Sequence, residues 1–135
     1  MLYSGILKLA IKEAEKSEMY PFKIGCVVFD GKRILGSGHN KKGVCGKIPP
    51  KYRNENDSIH AEQMAILNVP NWDKLSGVSL ITVRINRKNG FAMSKPCDMC
   101  MSMIKHVGIK EIYYTTYAGE IVKEKILKNG EEYDI

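Results

Sequence analysis

No apolar run in this sequence approaches the length of a membrane span, so no segment reads as a transmembrane helix. The opening residues, Met1-Leu2-Tyr3-Ser4-Gly5-Ile6-Leu7-Lys8, lack the basic-then-apolar layout of a secretion signal. The expectation is a soluble, cytoplasmic protein with no membrane partner. There is no internal repeat and no low-complexity segment, which sets aside repeat architectures. The 135 residues suffice for one sizeable core and not for two, so one domain over 1–135 is expected. Cysteine is sparse: Cys26, Cys45, Cys97 and Cys100. Without an export signal, a C-x-x-C pair reads as metal or redox chemistry and not as a disulfide framework. Cys26 lies in an apolar run and reads as a small buried hydrophobe. Cys45, in a Gly/Lys loop, reads as a free thiol or as a ligand of a second metal.

Aromatics are also few, at 8%. A groove that stacks bases would have to draw on Tyr52, Phe91, Tyr113, Tyr114 or Tyr117, most of which could equally be core. The net charge of +6 suits anionic partners such as nucleotides, phosphates or nucleic acid, without choosing among them. The basic residues are spread along the chain, as on a solvated surface.

Residues 2–16 carry apolar side chains at helical spacing, and Pro21 closes that region. Residues 22–29 read as a strand that is apolar on both faces, hence central in a sheet. Asp30-Gly31 predicts a hairpin into a returning strand over 33–39. Residues 40–57 form a long polar connection, a length usual for functional loops. Asp57 or Ser58 then caps a helix over about 59–68. Residues 78–85 read as a strand, and Asn89-Gly90 as a turn. Pro96 suits the first turn of a helix over 96–107 that Gly108 ends. Residues 110–116 read as a strand, and the tail around Ile121–Ile126 as either helix or antiparallel strand. Alternating strands and helices imply an α/β sandwich with helices on both sheet faces.

The chemistry concentrates in His60-Ala61-Glu62 and Pro96-Cys97-Asp98-Met99-Cys100. One imidazole and two thiolates supply three zinc ligands and leave a fourth tetrahedral position open, as catalytic zinc sites do. Glu62 is a carboxylate that such a ligand set does not need. Placed in the first turns of two helices, His60 and the Cys97/Cys100 pair would share the positive ends of two helix dipoles, which favour thiolate over thiol. A thioredoxin-like redox pair would explain Cys97 and Cys100 but not His60 and Glu62. A zinc-stabilised binding module would have no use for Glu62.

The order H-x-E then P-C-x-x-C resembles the cytidine/deoxycytidylate deaminase superfamily of zinc-dependent nucleobase deaminases. The resemblance runs from the first helix to about residue 116. It implies a three-layer α-β-α sandwich around a five-stranded mixed sheet, with one catalytic zinc per chain held by His60, Cys97 and Cys100. It further implies that Glu62 moves the proton of the activated water to a ring nitrogen, and that the exocyclic amine leaves as ammonia. Backbone around Ala61, and just before Pro96, would hold the base edge. Asn40, in Gly38-His39-Asn40, would contact the sugar; otherwise it is a turn asparagine. Lys95 and Arg84, with Arg87 and Lys88 nearby, could meet a substrate phosphate, or form a solvated loop. His39 could line the pocket or sit on an edge strand, and His106 reads as a helix-end residue. The long 40–57 segment resembles deoxycytidylate deaminases, so dCMP to dUMP is the first expectation. A cytosine or adenine deaminase of single-stranded DNA or RNA is the alternative. Relatives of this kind are usually homo-oligomers.

Overall fold

The computed structural model describes residues 2–19, 21–43, 46–53, 58–86, 88 and 90–126. Helix α1 (Ser4–Lys16) leads into β1 (Lys23–Asp30) and β2 (Arg33–His39). Two short strands, β3 (Lys41–Lys42) and β4 (Ser58–Ile59), precede α2 (Ala61–Leu67). Strand β5 (Ser79–Ile85) and the two-residue β6 (Phe91–Ala92) come next. Helix α3 (Asp98–Val107), β7 (Glu111–Thr115) and β8 (Ile121–Lys125) complete the order.

The main sheet runs β2-β1-β5-β7-β8, with β6 added beside β5. Among the described residues it therefore has six strands where five were expected, the sixth being the short β6 stub after residue 90. The β5–β7 pair is parallel and the remaining pairs are antiparallel. A parallel pair needs a crossover, and α3 supplies it. The tail is strand: β8 pairs antiparallel with β7.

Side chains alternate across β1, and both sets are buried. Val27 and Phe29 face α1 with Ile81, Val83 and Tyr113. Cys26 and Val28 face α2 and α3 with Leu80, Ile104 and Ile112. One helix thus covers one face and two cover the other, as the α/β sandwich required. Gly36 and Gly38 in β2 let α2 lie directly on the strand. A Cβ at Gly38 would stand 2.5 Å from Met64 Cβ, and one at Gly36 2.5 Å from the Ala65 carbonyl oxygen. Gly108 ends α3 in the left-handed region, at φ 89°.

Two helix starts differ from expectation. Ser58 belongs to β4, and the N-cap of α2 is His60; Asp57 lies outside the described residues. Pro96 precedes the helix instead of opening it, and Cys97 is the N-cap of α3. The reason is the same in both cases. These two residues hold extended backbone, with ψ 152° at His60 and 167° at Cys97, which aims their side chains across the helix start.

Candidate active site

His60 is fixed from both sides. Upstream, β4 pairs with β3 in the register Lys41 to Ile59 and Lys42 to Ser58. Downstream, its backbone N–H donates to Gln63 Oε1 at 3.0 Å. Gln63 also donates through Nε2 to the Tyr52 carbonyl. One buried side chain thereby ties the start of α2 to the long connection. A glutamine three residues after the cap is a capping-box position, so this residue was detectable in the sequence.

The approach to Cys97 is held by a buried knot of hydroxyls. Ser94 Oγ donates to the Thr82 carbonyl at 2.7 Å and accepts from the Thr115 N–H at 2.8 Å. Thr115 Oγ1 lies 2.7 Å from the Ala92 carbonyl and accepts from the Arg84 N–H at 3.2 Å. The segment between β6 and α3 is thus strapped to the ends of β5 and β7. That places the site beyond the carboxyl ends of the two parallel strands, where open α/β sheets form their crevices.

The fold brings together residues 37 and 40 positions apart in the chain. His60 Nδ1 lies 3.7 Å from Cys97 Sγ and 3.2 Å from Cys100 Sγ. Ligands at zinc–sulfur and zinc–nitrogen bond lengths on a tetrahedron stand about 3.6 Å apart. All three ligand atoms lie within 4.8 Å of one another. The donor set therefore fits one zinc ion, with His60 bound through Nδ1. First-turn placement was expected for all three ligands. His60 and Cys97 are instead caps, and Cys100 alone lies within its helix.

The Cys100 thiol and His60 both donate to Cys97, whose pKa falls to about 3. The Cys97 thiolate and burial push Cys100 the other way. Contact with Cys97 raises His60, against the opposing effect of burial. Both cysteines would have to be deprotonated to hold zinc, so binding of the metal would release protons. Glu62 is 5% exposed, and its pKa is raised because burial outweighs the nearby His60.

A cavity of about 280 Å³ opens onto this cluster. His60, Ala61, Glu62, Cys97, Asn40 and Lys95 all reach its wall. Lys95 also pairs with Glu124 at 3.3 Å. The Asn40 amide is engaged by the protein: Oδ1 accepts from Ser17 Oγ at 2.7 Å and from Ile24 N–H at 3.0 Å, and Nδ2 donates to the Phe22 carbonyl. Arg84 departs from expectation and does not line the cavity. Its guanidinium stacks 4.4 Å from the centre of the Phe22 ring, and Phe22 lines the cavity in its place. His39 faces a neighbouring groove, and His106 is exposed in the last turn of α3. Cys45 and Arg87 lie outside the described residues.

Of the stacking candidates, Tyr52 and Tyr113 are core, and Phe91 and Tyr114 are half-buried. Tyr117 is exposed, yet it is not part of the cavity. The aromatic at the cavity is Phe22, 53% exposed, with Met19 and Met93 beside it. Sequence reasoning missed all three, because a strand-edge phenylalanine and lone methionines carry no periodic signal.

Residues 3–116 match the family described as the cytidine and deoxycytidylate deaminase zinc-binding region. A tRNA-specific adenosine deaminase of Streptococcus pyogenes is 32% identical over 111 residues, which cover 78% of this chain and 57% of that protein. The chain spans little more than half the length of the curated relatives it matches. A cytidine deaminase from Burkholderia pseudomallei shares the fold with a TM-score of 0.64 at 18% identity, over 93% of this chain and 94% of the other. The apo dCMP deaminase of cyanophage S-TIM5 does so with a TM-score of 0.59 at 24% identity, over 83% and 80%. Motif order, ligand geometry and family match agree: this chain belongs to the cytidine and deoxycytidylate deaminase zinc-binding family.

Proposed function

We propose that this protein is a zinc-dependent hydrolase that replaces the exocyclic amine of a cytosine base with a carbonyl oxygen, acting on a nucleoside or nucleotide. The supporting observation is a buried carboxyl, Glu62, beside a three-ligand zinc site at the floor of an apolar cavity. His60, Cys97 and Cys100 would hold one zinc ion, which when bound would supply Lewis-acid activation of a water molecule near neutral pH. Glu62 accepts that water's proton and carries it to the ring nitrogen, then assists the departing amine. The ring carbon exchanges a C–N bond for a C–O bond: water is consumed, ammonia is released, and no oxidant is needed. Burial raises the Glu62 carboxyl above its ordinary range, which suits a group that holds and passes on a proton. Met19, Phe22, Ile24 and Ile59 give the cavity an apolar wall against which a base would pack. Ala61 lines the cavity at the first position of α2, where a backbone N–H has no acceptor inside the helix, and would hold the base edge.

A second reading is a base within RNA, favoured by the 32% identity to tRNA-specific adenosine deaminases. Zinc-loaded protein offered cytidine, deoxycytidine, their 5′-monophosphates, adenosine and short oligonucleotides should release ammonia from a cytosine monomer. Turnover of oligonucleotides alone moves the assignment to the second reading. Ammonia from none of these substrates contradicts both.

A further inference from the structure

A second concavity of about 400 Å³ adjoins the base cavity. Met19 lines both. Asn40, on the wall of the first, lies between His39 and Lys41, both on the wall of the second. Lys16 and Lys42 complete its basic side, and Glu18 is the acidic group that lines it. Lys16 is tied to Glu13 at 3.0 Å. Among the described residues no carboxylate pairs with Lys41 or Lys42. Both are exposed, yet they are not on a loose loop. They form β3, which pairs with β4, and β4 runs directly into His60. Their backbone therefore keeps register with the zinc ligand.

By contrast, the cations expected to meet a phosphate are otherwise engaged. Lys95 pairs with Glu124, and Arg84 lies on Phe22. We propose that the groove of Lys41 and Lys42 is a phosphate subsite, which receives the phosphate on the sugar of the base held in the cavity. Two sources share this chemistry, a nucleoside 5′-monophosphate and the phosphodiester of a single strand. Two lysines without a carboxylate partner among the described residues, on a strand paired to β4, favour a dianion or a phosphodiester over a neutral hydroxyl. The proposal rests on the deaminase reading for its geometry, but binding alone can test it.

The test uses zinc-loaded Glu62→Ala protein, which leaves substrates intact. Calorimetry at low and at physiological salt compares cytidine, cytidine 5′-monophosphate and a four-nucleotide single strand. The phosphorylated ligands should bind more tightly than cytidine. The ratio should fall about ten- to a hundredfold in the Lys41→Ser/Lys42→Ser background, and charge-retaining Lys41→Arg/Lys42→Arg should restore it. A gain for the monophosphate assigns the subsite to nucleotides, and a gain for the strand alone assigns it to a phosphodiester. Equal affinity for all three ligands, or a ratio untouched by the serine pair, overturns the proposal. Absence of ammonia from the wild type with a lysine-dependent ratio intact would instead count against the deaminase reading.

Discussion

The two helix layers each bury one glutamate against the sheet, and the two carboxyls are driven in opposite directions. Glu13 in α1 is 6% exposed and Glu62 in α2 is 5% exposed. Burial pushes both up. At Glu13 it is outweighed by His39 at 3.1 Å, Lys16 at 3.0 Å and the Ser37 hydroxyl at 3.2 Å, which hold the carboxyl below its ordinary 4.5. At Glu62 the nearby His60 does not compensate, and the carboxyl stays raised. Similar solvent exposure therefore says little about role, since Glu62 lies deeper in protein than Glu13. The donors around the carboxyl decide whether it anchors two elements or remains ready to exchange a proton.

The sharpest way to break this contrast is to remove the metal's imidazole. His60→Ala should lose bound zinc, measured by metal analysis, and ammonia release should fall by at least about a thousandfold. Next is the layer that carries Glu62. Gly38→Ala drives a methyl into Met64 and the α2 backbone, and should cost about 1–3 kcal/mol in a denaturant titration. The equivalent change at an open site such as Gly46 should cost much less, because a Cβ there meets nothing within 4 Å.

The anchoring glutamate predicts a pH signature. A carboxyl lowered on folding contributes stability above its unfolded pKa and loses it as pH falls through the folded value. Glu13→Gln should therefore be about 1–2 kcal/mol less stable than wild type at pH 7. The gap should narrow below pH 4.5, and activity should change only a few-fold. A gap that widens in acid would contradict the assignment. The smallest effect is expected at the cavity rim. Phe22→Leu should raise KM several-fold with little change in kcat, since Phe22 forms a wall and holds no reacting proton.

Much of this was legible in the sequence, for identifiable reasons. Val27, Val28 and Phe29 declared a strand buried on both faces, and Asp30-Gly31 its turn, because these signals are local. The His60, Cys97 and Cys100 cluster was legible because its chemistry leaves few other uses for H-x-E followed by C-x-x-C. The cap positions of His60 and Cys97 were not, since propensity favoured Ser58 and Pro96 while the tertiary geometry chose the ligands. Arg84 was misplaced because nothing in the sequence shows that Phe22 comes between it and the cavity. Gly36 and Gly38 carry no such signal within the strand expected over 33–39. They are the places where α2 touches the sheet, a property that emerges only once the helix is docked. The Ser94–Thr115 knot joins two segments through single hydroxyls and has no periodic trace at all.

Glu62→Gln, measured for zinc content and ammonia release in the same preparation, tests the role of Glu62 most directly. The amide keeps the shape of the side chain and removes its capacity to carry a proton. The prediction is one zinc per chain, stability equal to wild type or higher, and ammonia release lower by about a hundred- to ten-thousandfold on whichever substrate the wild type turns over. Full zinc with undiminished ammonia release would contradict the assignment of Glu62 as the proton carrier.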